Sequence, residues 1–375
     1  IINPDFLTLK DSDFQIFVAG TQSGITMIEC EGNNANKQDI ITATDIAQKN
    51  IIKLIDIQQE FISKTTIKNK IYVDNNLENE DLYKNLNEKI KTDYNKLLYS
   101  NDGITFYNNV SDYIKNLKSE YLSLNEKNVL LNKILKKIKY SLFRKYISET
   151  GKRLDNRNYT QLRDIFCERG LLPSAHGSAL FTRGGTQCLA VTTIGSERKE
   201  SNNKNSEKLF FLHYNFPGFS VGDCKKKSSI SRREYGHGFL AEKSLKTIIP
   251  SSKDYNHNIR TVSEILESDG SSSMASVCGA SISLKDAGVP ISELAAGISI
   301  GLIKGNEKNI LLTDINELED HCGDMDFKIA GTKTGITGLQ LDIKIQNIDL
   351  DIIEKTFNQA ESNRLEILEK MEALF

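Results

Sequence analysis

Four residues near the C-terminal end, Asp320, Asp324, Asp326 and Lys328, put three carboxylates and an ammonium within nine positions. Carboxylates facing one spot bind a hard cation such as Mg²⁺, which keeps several waters. If this stretch is a strand, side chains alternate and Asp324, Asp326 and Lys328 share a face. Alone, the cluster reads equally as a charged surface patch. A second stretch, Asp269-Gly270-Ser271-Ser272-Ser273, precedes an apolar helical run. Small hydroxyl residues after a glycine at a helix start offer N–H donors and the positive dipole end to an anion. A plain helix cap is the bland alternative. There is no G-x-x-x-x-G-K-[ST], so it is not a nucleotide-binding P-loop. A third stretch carries Lys225-Lys226-Lys227 and then Arg232-Arg233-Glu234-Tyr235-Gly236-His237-Gly238. Paired arginines clamp phosphate through forked hydrogen bonds, and His237 sits between glycines where backbone can come close to a ligand. The bland alternative is a flexible basic surface loop. Together the three suit phosphoryl transfer on a polyanion. No Cys/His or Ser/His/Asp spacing competes with them.

Such residues need elements to hold them, and an internal repeat supplies the first clue. Ala19-Gly20-Thr21-Gln22-Ser23-Gly24-Ile25-Thr26 matches Ala330-Gly331-Thr332-Lys333-Thr334-Gly335-Ile336-Thr337, an offset of 311 residues. Asp39-Ile40-Ile41 with Thr44 matches Asp351-Ile352-Ile353 with Thr356, an offset of 312. Two matches in near-register argue for duplicated domains, each with a turn, a strand and a long helix. Aligned this way, Gln15 stands opposite Asp326 and Phe17 opposite Lys328, as in an inactive and an active copy. Between the copies, residues 34–149 contain one glycine, Gly103, and no proline. Leu130, Leu131, Ile134, Leu135, Ile138 and Leu142 fall at helical spacing there. The sequence therefore divides into 1–62, the end of a first core; 63–149, all-helical with a break near Asn101-Asp102-Gly103; and 150–375, a second core. The Lys-rich run 133–145 is a solvated helix face, with an RNA-touching face as the lesser reading.

In the second core, Ser178–Phe181 and Gln187–Ile194 predict a hairpin, Phe210–Tyr214 a strand and Ser273–Lys285 a helix. Further candidates are 295–303, 310–312 and 327–329, giving an α+β fold of mixed sheets packed with helices. His176, His213 and His321 adjoin candidate strands; His257 reads as part of a polar loop.

Lys plus Arg is 48 and Asp plus Glu 50, a net charge of −2 over 375 residues. That excludes a globally basic nucleic-acid binder, so any basic footprint is local. The longest apolar run, Leu294–Ile303, is far short of the ~20 residues that span a bilayer. The six cysteines lack any C-x-x-C pair and read as reduced core thiols. No signal or transit peptide is visible from Ile1 onward.

At this level of detail the chain resembles the polynucleotide phosphorylase family. The matching segments are Leu154-Asp155-x-Arg157, His176–Gly184, Leu212–Pro217, Arg232–Gly238, Gly270–Ser281, Asp286–Pro290 and Gly323–Thr332. The resemblance implies a ribonuclease-PH-like second core preceded by an all-helical domain. It implies a phosphate-dependent 3′→5′ exoribonuclease that degrades single-stranded RNA to nucleoside diphosphates and runs in reverse as a polymerase. It implies a homotrimer, Mg²⁺ (with Mn²⁺ as an alternative), inorganic phosphate as co-substrate, and RNA-degradation partners, but no membrane. By position, Ser271, Ser272 and Ser273 would hold phosphate, and Arg232 and Arg233 the RNA backbone. His237 would lie near the scissile group, Asp320 and Asp326 would hold the metal, and Lys328 would stabilise the transferring phosphoryl group; Asp324 stays as a lesser candidate. Asp269 and Gly185 stand where the family usually has Asn and Glu. The family layout places the rest of a first core before residue 1 and two small RNA-binding modules after residue 375. The expected compartment is the cytoplasm in a bacterium, or a mitochondrion or plastid in a eukaryote. A silent RNA-binding ring subunit and a single-core RNA 3′-end trimming enzyme are the alternatives.

Overall fold

The structure, a computed structural model, describes residues 1–65, 80–98, 102–122, 128–197, 208–224, 229–305 and 308–375. The chain opens with α1 (Phe6–Lys10), β1 (Phe14–Thr21), β2 (Gly24–Ala35) and α2 (Lys37–Ser63). Three helices follow: α3 (Glu80–Leu97), α4 (Gly103–Leu122) and α5 (Asn128–Thr150). Then come β3 (Ile165–Arg169), β4 (Gly177–Arg183), β5 (Thr186–Glu197), β6 (Phe210–Asn215), α6 (Arg232–Lys246), β7 (His257–Glu267) and α7 (Ser272–Asp286). The last elements are β8 (Ala296–Lys304), β9 (Asn309–Thr313), α8 (Glu317–Cys322), β10 (Met325–Gly331), β11 (Ile336–Ile343) and α9 (Leu350–Glu372).

The strands form two sheets, ordered β1-β2-β11-β10-β8-β9 and β3-β4-β5-β7-β6. Pairing is antiparallel except for β6 with β7. Helices α6 and α7 pack between the sheets, and α2 and α9 cover the outer face of the six-stranded sheet. Helix α7 is buried from Ser272 to Leu284. Its small residues permit this: a Cβ on Gly279 would sit 3.3–3.5 Å from Cys188, Ala190 and Phe181. A helix buried on all sides needs no polar face.

The two repeat copies lie side by side in one sheet. Each hairpin carries a register shift at the same place, Ala19/Gly20 in β1 and Ala330/Gly331 in β10. Where β2 meets β11, Glu29 pairs with Gln340, its own counterpart at offset 311, and Ile28 and Cys30 pair with Leu341 and Leu339. The copies are thus related by a local two-fold through that pair. One hydrophobic core joins Ile25, Ile28, Ile40 and Ile41 of the first copy to residues 162–371.

Helices α3–α5 build a second core in which Phe106 stacks on Tyr146 at 4.3 Å. It reaches the sheet through Ile303, Ile310, Leu312 and Ile315. The lysines of α5 stand between its buried positions, with Lys139 and Lys145 over the rings of Tyr107 and Tyr94. The solvated-face reading fits that arrangement. Among the described residues, no helix is long and apolar enough to cross a membrane.

Three sequence expectations need correction. Cys224 is exposed and Cys167 half-buried, so only Cys30, Cys188, Cys278 and Cys322 are core thiols. His257 is not in a loop: it opens β7, with Nδ1 3.0 Å from the Gly195 carbonyl. The Arg232–Gly238 stretch is not a flexible loop but the first two turns of α6. Ser231 and Glu234 close a capping box there.

Candidate active site

Strand β10 lies between β8 and β11, and its alternation separates two jobs. Met325, Phe327 and Ile329 point into the core, where Phe327 meets Phe357 edge-on at 5.3 Å. Asp326 and Lys328 point the other way, toward α6 and α7, and form an ion pair of 2.6 Å. Lys328 is 6% exposed. Burial works against its charge, but Asp326, Asp342 and Asp320 outweigh it and raise its pKa. An ammonium paired with Asp326 and lying in the field of Asp342 and Asp320 is a fixed positive charge.

The phosphate-loop candidate turns sharply onto α7. Gly270 (φ +90°) and Ser271 (φ +52°) both have left-handed backbone. Glycine is required at 270 twice over, because a Cβ would lie 2.8 Å from Asn316 C and Glu317 N. Met274 and Ala275 N–H bond back to the Ser271 carbonyl. The N–H groups of Ser272 and Ser273 precede the first such bond, as at any helix start. Ser272 Oγ is 2.7 Å from Tyr214 Oη, and burial keeps Tyr214 a neutral phenol by pushing its pKa up.

Beneath this loop lies a buried ion network. The Asp314 carboxylate pairs with Arg163 and with Arg183, each at 2.8 Å. Those guanidiniums donate to the carbonyls of Asp269 and Ser271. Burial alone would raise the Asp314 pKa; Arg183 and Arg163 reverse that and hold it well below the carboxylate range. Arg153, fully buried, grips Glu319 of α8. The loop and the helix bearing Asp320 are thereby clamped to one support.

A cavity of about 500 Å³ opens between α6, α7, α8 and β10. It gathers Arg233, His237, Ser271, Ser272, Asp320, Asp326 and Lys328 from positions nearly a hundred residues apart. His237 lies 3.5 Å from Tyr214 Oη. Burial first, then Lys328 and Arg233, lower its pKa to about 3, so it is a neutral imidazole at physiological pH. Gly238 serves packing rather than ligand approach: a Cβ there would be 3.0 Å from Tyr214 Cβ.

Other candidates do not line the cavity. Arg232 is exposed and off the lining, and Ser273 is wholly buried with Oγ unpartnered. Asp324 is a correction: it precedes β10 and accepts both Arg144 Nη groups at 2.7 Å and the Lys304 N–H at 2.7 Å. It ties α5 to the second core. Lys225–Lys227 lie outside the described residues. Sequence reasoning missed Tyr214 and Glu317, which line the cavity, and Asp342, directly across from Asp326 in β11.

Asp320 and Asp326 suit a metal that takes few protein ligands. Asp326 Oδ1 is buried without a hydrogen-bond partner, and Asp320 Oδ1 accepts from Lys344 Nζ at 3.1 Å. Among the described residues, no three His, Cys, Asp or Glu side chains converge as a cage. Two carboxylates with water completing the shell is a Mg²⁺-type arrangement.

Residues 161–290 match the 3′ exoribonuclease family, domain 1. Polyribonucleotide nucleotidyltransferases of Chlorobium chlorochromatii and Pseudothermotoga lettingae are 40% and 42% identical to the chain, over 99% and 97% of it. The Borrelia duttonii enzyme of that name is 41% identical over 100%. The chain is homologous to the polyribonucleotide nucleotidyltransferases. It spans about half the length of these relatives, 52–54%. Rice Rrp46 shares the fold, with a TM-score of 0.50 at 19% identity, covering 59% of this chain and 98% of that one. The α+β, ribonuclease-PH-like reading therefore stands.

Asp269 and Gly185, the two departures noted with the resemblance, are neighbours. A Cβ on Gly185 would lie 3.2 Å from Asp269 Cβ. Asp269 Oδ1 still accepts the Glu317 N–H at 3.2 Å, a bond an amide oxygen also makes.

Proposed function

We propose that this chain holds the catalytic centre of a phosphate-dependent 3′→5′ exoribonuclease acting on single-stranded RNA. The observation that carries this reading is the single cavity joining a helix-start anion cradle at Ser271–Ser272 to the Asp320, Asp326 and Lys328 cluster. Two anions must meet in phosphorolysis, so cations and N–H donors must offset their repulsion before in-line attack. Inorganic phosphate docks at the α7 start, with Ser272 Oγ and the free N–H groups as donors. Arg233 holds the RNA backbone beside it. A phosphate oxygen attacks the phosphorus of the last linkage. The P–O3′ bond breaks, the penultimate 3′ oxygen takes up a proton, and a nucleoside diphosphate leaves. Lys328 offsets the charge gathering on the transferred group. Neutral His237 orients a non-bridging oxygen or the leaving hydroxyl by hydrogen bonding rather than by charge. Mg²⁺ held by Asp320 and Asp326 would supply Lewis-acid stabilisation of the same charge. The reverse reaction, polymerisation from nucleoside diphosphates, uses the same groups. The proposed working state is a homotrimer.

The test is to incubate the full-length protein with a labelled single-stranded RNA, with and without inorganic phosphate. Phosphate-dependent release of nucleoside diphosphates supports the reading. Release of monophosphates without phosphate would make it a hydrolase, and RNA binding with no release a silent subunit.

A further inference from the structure

On the opposite face of the six-stranded sheet, Arg364 of α9 is 4% exposed, and its Nε and Nη1 have no hydrogen-bond partner. A guanidinium does not shed its proton in proteins. Burying one unpaired is costly unless something anionic meets it. Arg364 lines a cavity of about 120 Å³ together with Lys37 at the start of α2, Lys333, and the Thr334–Gly335 turn. At ~30 Å³ per water, that is room for about four waters or one small oxyanion.

The carboxylates nearby are already engaged. Glu361, on the cavity wall, binds Lys37 at 2.6 Å. Lys333 pairs with Glu372 at 2.6 Å, off the lining. Glu293 accepts from Lys333 N and Thr334 Oγ1. Neither Glu361 nor Glu293 forms an ion pair with Arg364 among the described residues, and their field only partly offsets the burial that lowers its pKa. The fold does not demand this arginine either: at offset 312 the first copy has Ile52.

We propose that this cavity binds a phosphoryl group, with Arg364 as its principal donor and Lys333 and Lys37 at its rim. A forked guanidinium matches two oxygens of a tetrahedral anion, and the volume admits the phosphoryl group but not a nucleoside. The site is separate from the candidate active site, since Arg364 and Lys328 lie on opposite faces of the sheet. The ligand is inorganic phosphate or the terminal phosphate of a nucleotide, and two titrations tell these apart.

Calorimetric titration of the RNA-free protein with inorganic phosphate should show two classes of site per chain. Arg364→Gln should weaken one class at least ~10-fold, as expected for a lost charged donor, and leave the other. Ser272→Ala should do the reverse. Lys333 is half-exposed, so Lys333→Gln should weaken the Arg364 class several-fold with the thermal midpoint unchanged, which keeps the test valid if Arg364→Gln unfolds. Uridine 5′-monophosphate competing for that class makes nucleotide ends the ligand; phosphate binding without such competition makes it free phosphate. A single class, sensitive to Ser272→Ala but not to Arg364→Gln or Lys333→Gln, overturns the proposal. If the reading of the active site were wrong instead, the Ser272 class would vanish while the Arg364 class remained.

Discussion

The hairpin β1–β2 with α2 and the hairpin β10–β11 with α9 follow one plan, down to the bulge at the same glycine. Their surroundings differ. Strand β10 has β8 on one side and β11 on the other, whereas β1 has only β2 among the described strands. The difference shows at equivalent positions. Lys328 is 6% exposed and pairs with Asp326 at 2.6 Å, while Phe17 is 67% exposed. At the aligned positions the first copy has Gln15 and Phe17 where the second has Asp326 and Lys328, so the repeat keeps the scaffold without these charges. The Asp326–Lys328 pair gains strength from the low-dielectric setting of its buried position.

The sharpest way to break this comparison is at Asp326. Asp326→Asn keeps the shape of the cavity but removes half of the Lys328 ion pair. Phosphorolysis and polymerisation should fall together by at least ~10²–10³-fold, about 2.7–4 kcal/mol of barrier by analogy with one oxyanion donor. Both directions are measured on the same preparation; loss of only one would separate them into different sites. Within the same segment, Asp324→Ala should act oppositely. It should cost about 1.5–3 kcal/mol in unfolding free energy by stranding Arg144, read from denaturant melts, and leave the turnover of folded enzyme near wild type. Comparable loss of turnover would return Asp324 to the site.

These two aspartates also show how far sequence reaches. Period-two spacing tied Asp326 to Lys328, but it also enrolled Asp324, because where the strand begins is a matter of hydrogen bonding, not of spacing. The serine and arginine pairs divide in a related way. Successive helical residues are ~100° apart, so of Ser272 and Ser273, or Arg232 and Arg233, only one of each pair lines the cavity. Asp342 was illegible because the register that sets it opposite Asp326 joins segments by a pairing no local pattern states. Strand β7 was missed because buried Thr261 and Ser263, which bond to Thr192 and Ser276, blur its apolar alternation. The Arg232–Glu234 helix start was legible as a capping box, but Gly236 and Gly238 disguised it as a loop.

His237 gives a smaller effect with a defined sign. Its folded pKa of about 3 lies below the ordinary 6.5. The unfolded chain takes up a proton as pH falls through 6.5, and the folded chain does not until near pH 3. The contribution to stability is therefore complete above pH 6.5 and is lost on acidification, at ~1.4 kcal/mol per pH unit. His237→Gln should flatten the fall in unfolding free energy between pH 6 and 4.5 relative to wild type. An unchanged slope would mean that His237 is solvated.

The smallest effect is expected where the first copy is asked to imitate the second. Gln15→Asp with Phe17→Lys reproduces the Asp326–Lys328 pair on β1. The new lysine would stand at a site two-thirds exposed, where a surface ion pair is worth only ~0–1 kcal/mol and salt screens it. It would also lack the converging third and fourth charges, since Glu31, the 311-offset counterpart of Asp342, is already bound to Lys246 at 2.8 Å. In this 375-residue chain the double variant should change unfolding free energy by no more than ~0.5 kcal/mol. It should leave phosphate binding as it was, by the same titration that counts the sites. A new phosphate site appearing at β1 would show that two side chains suffice. The central, buried position of β10 would then not be what makes its pair chemically competent.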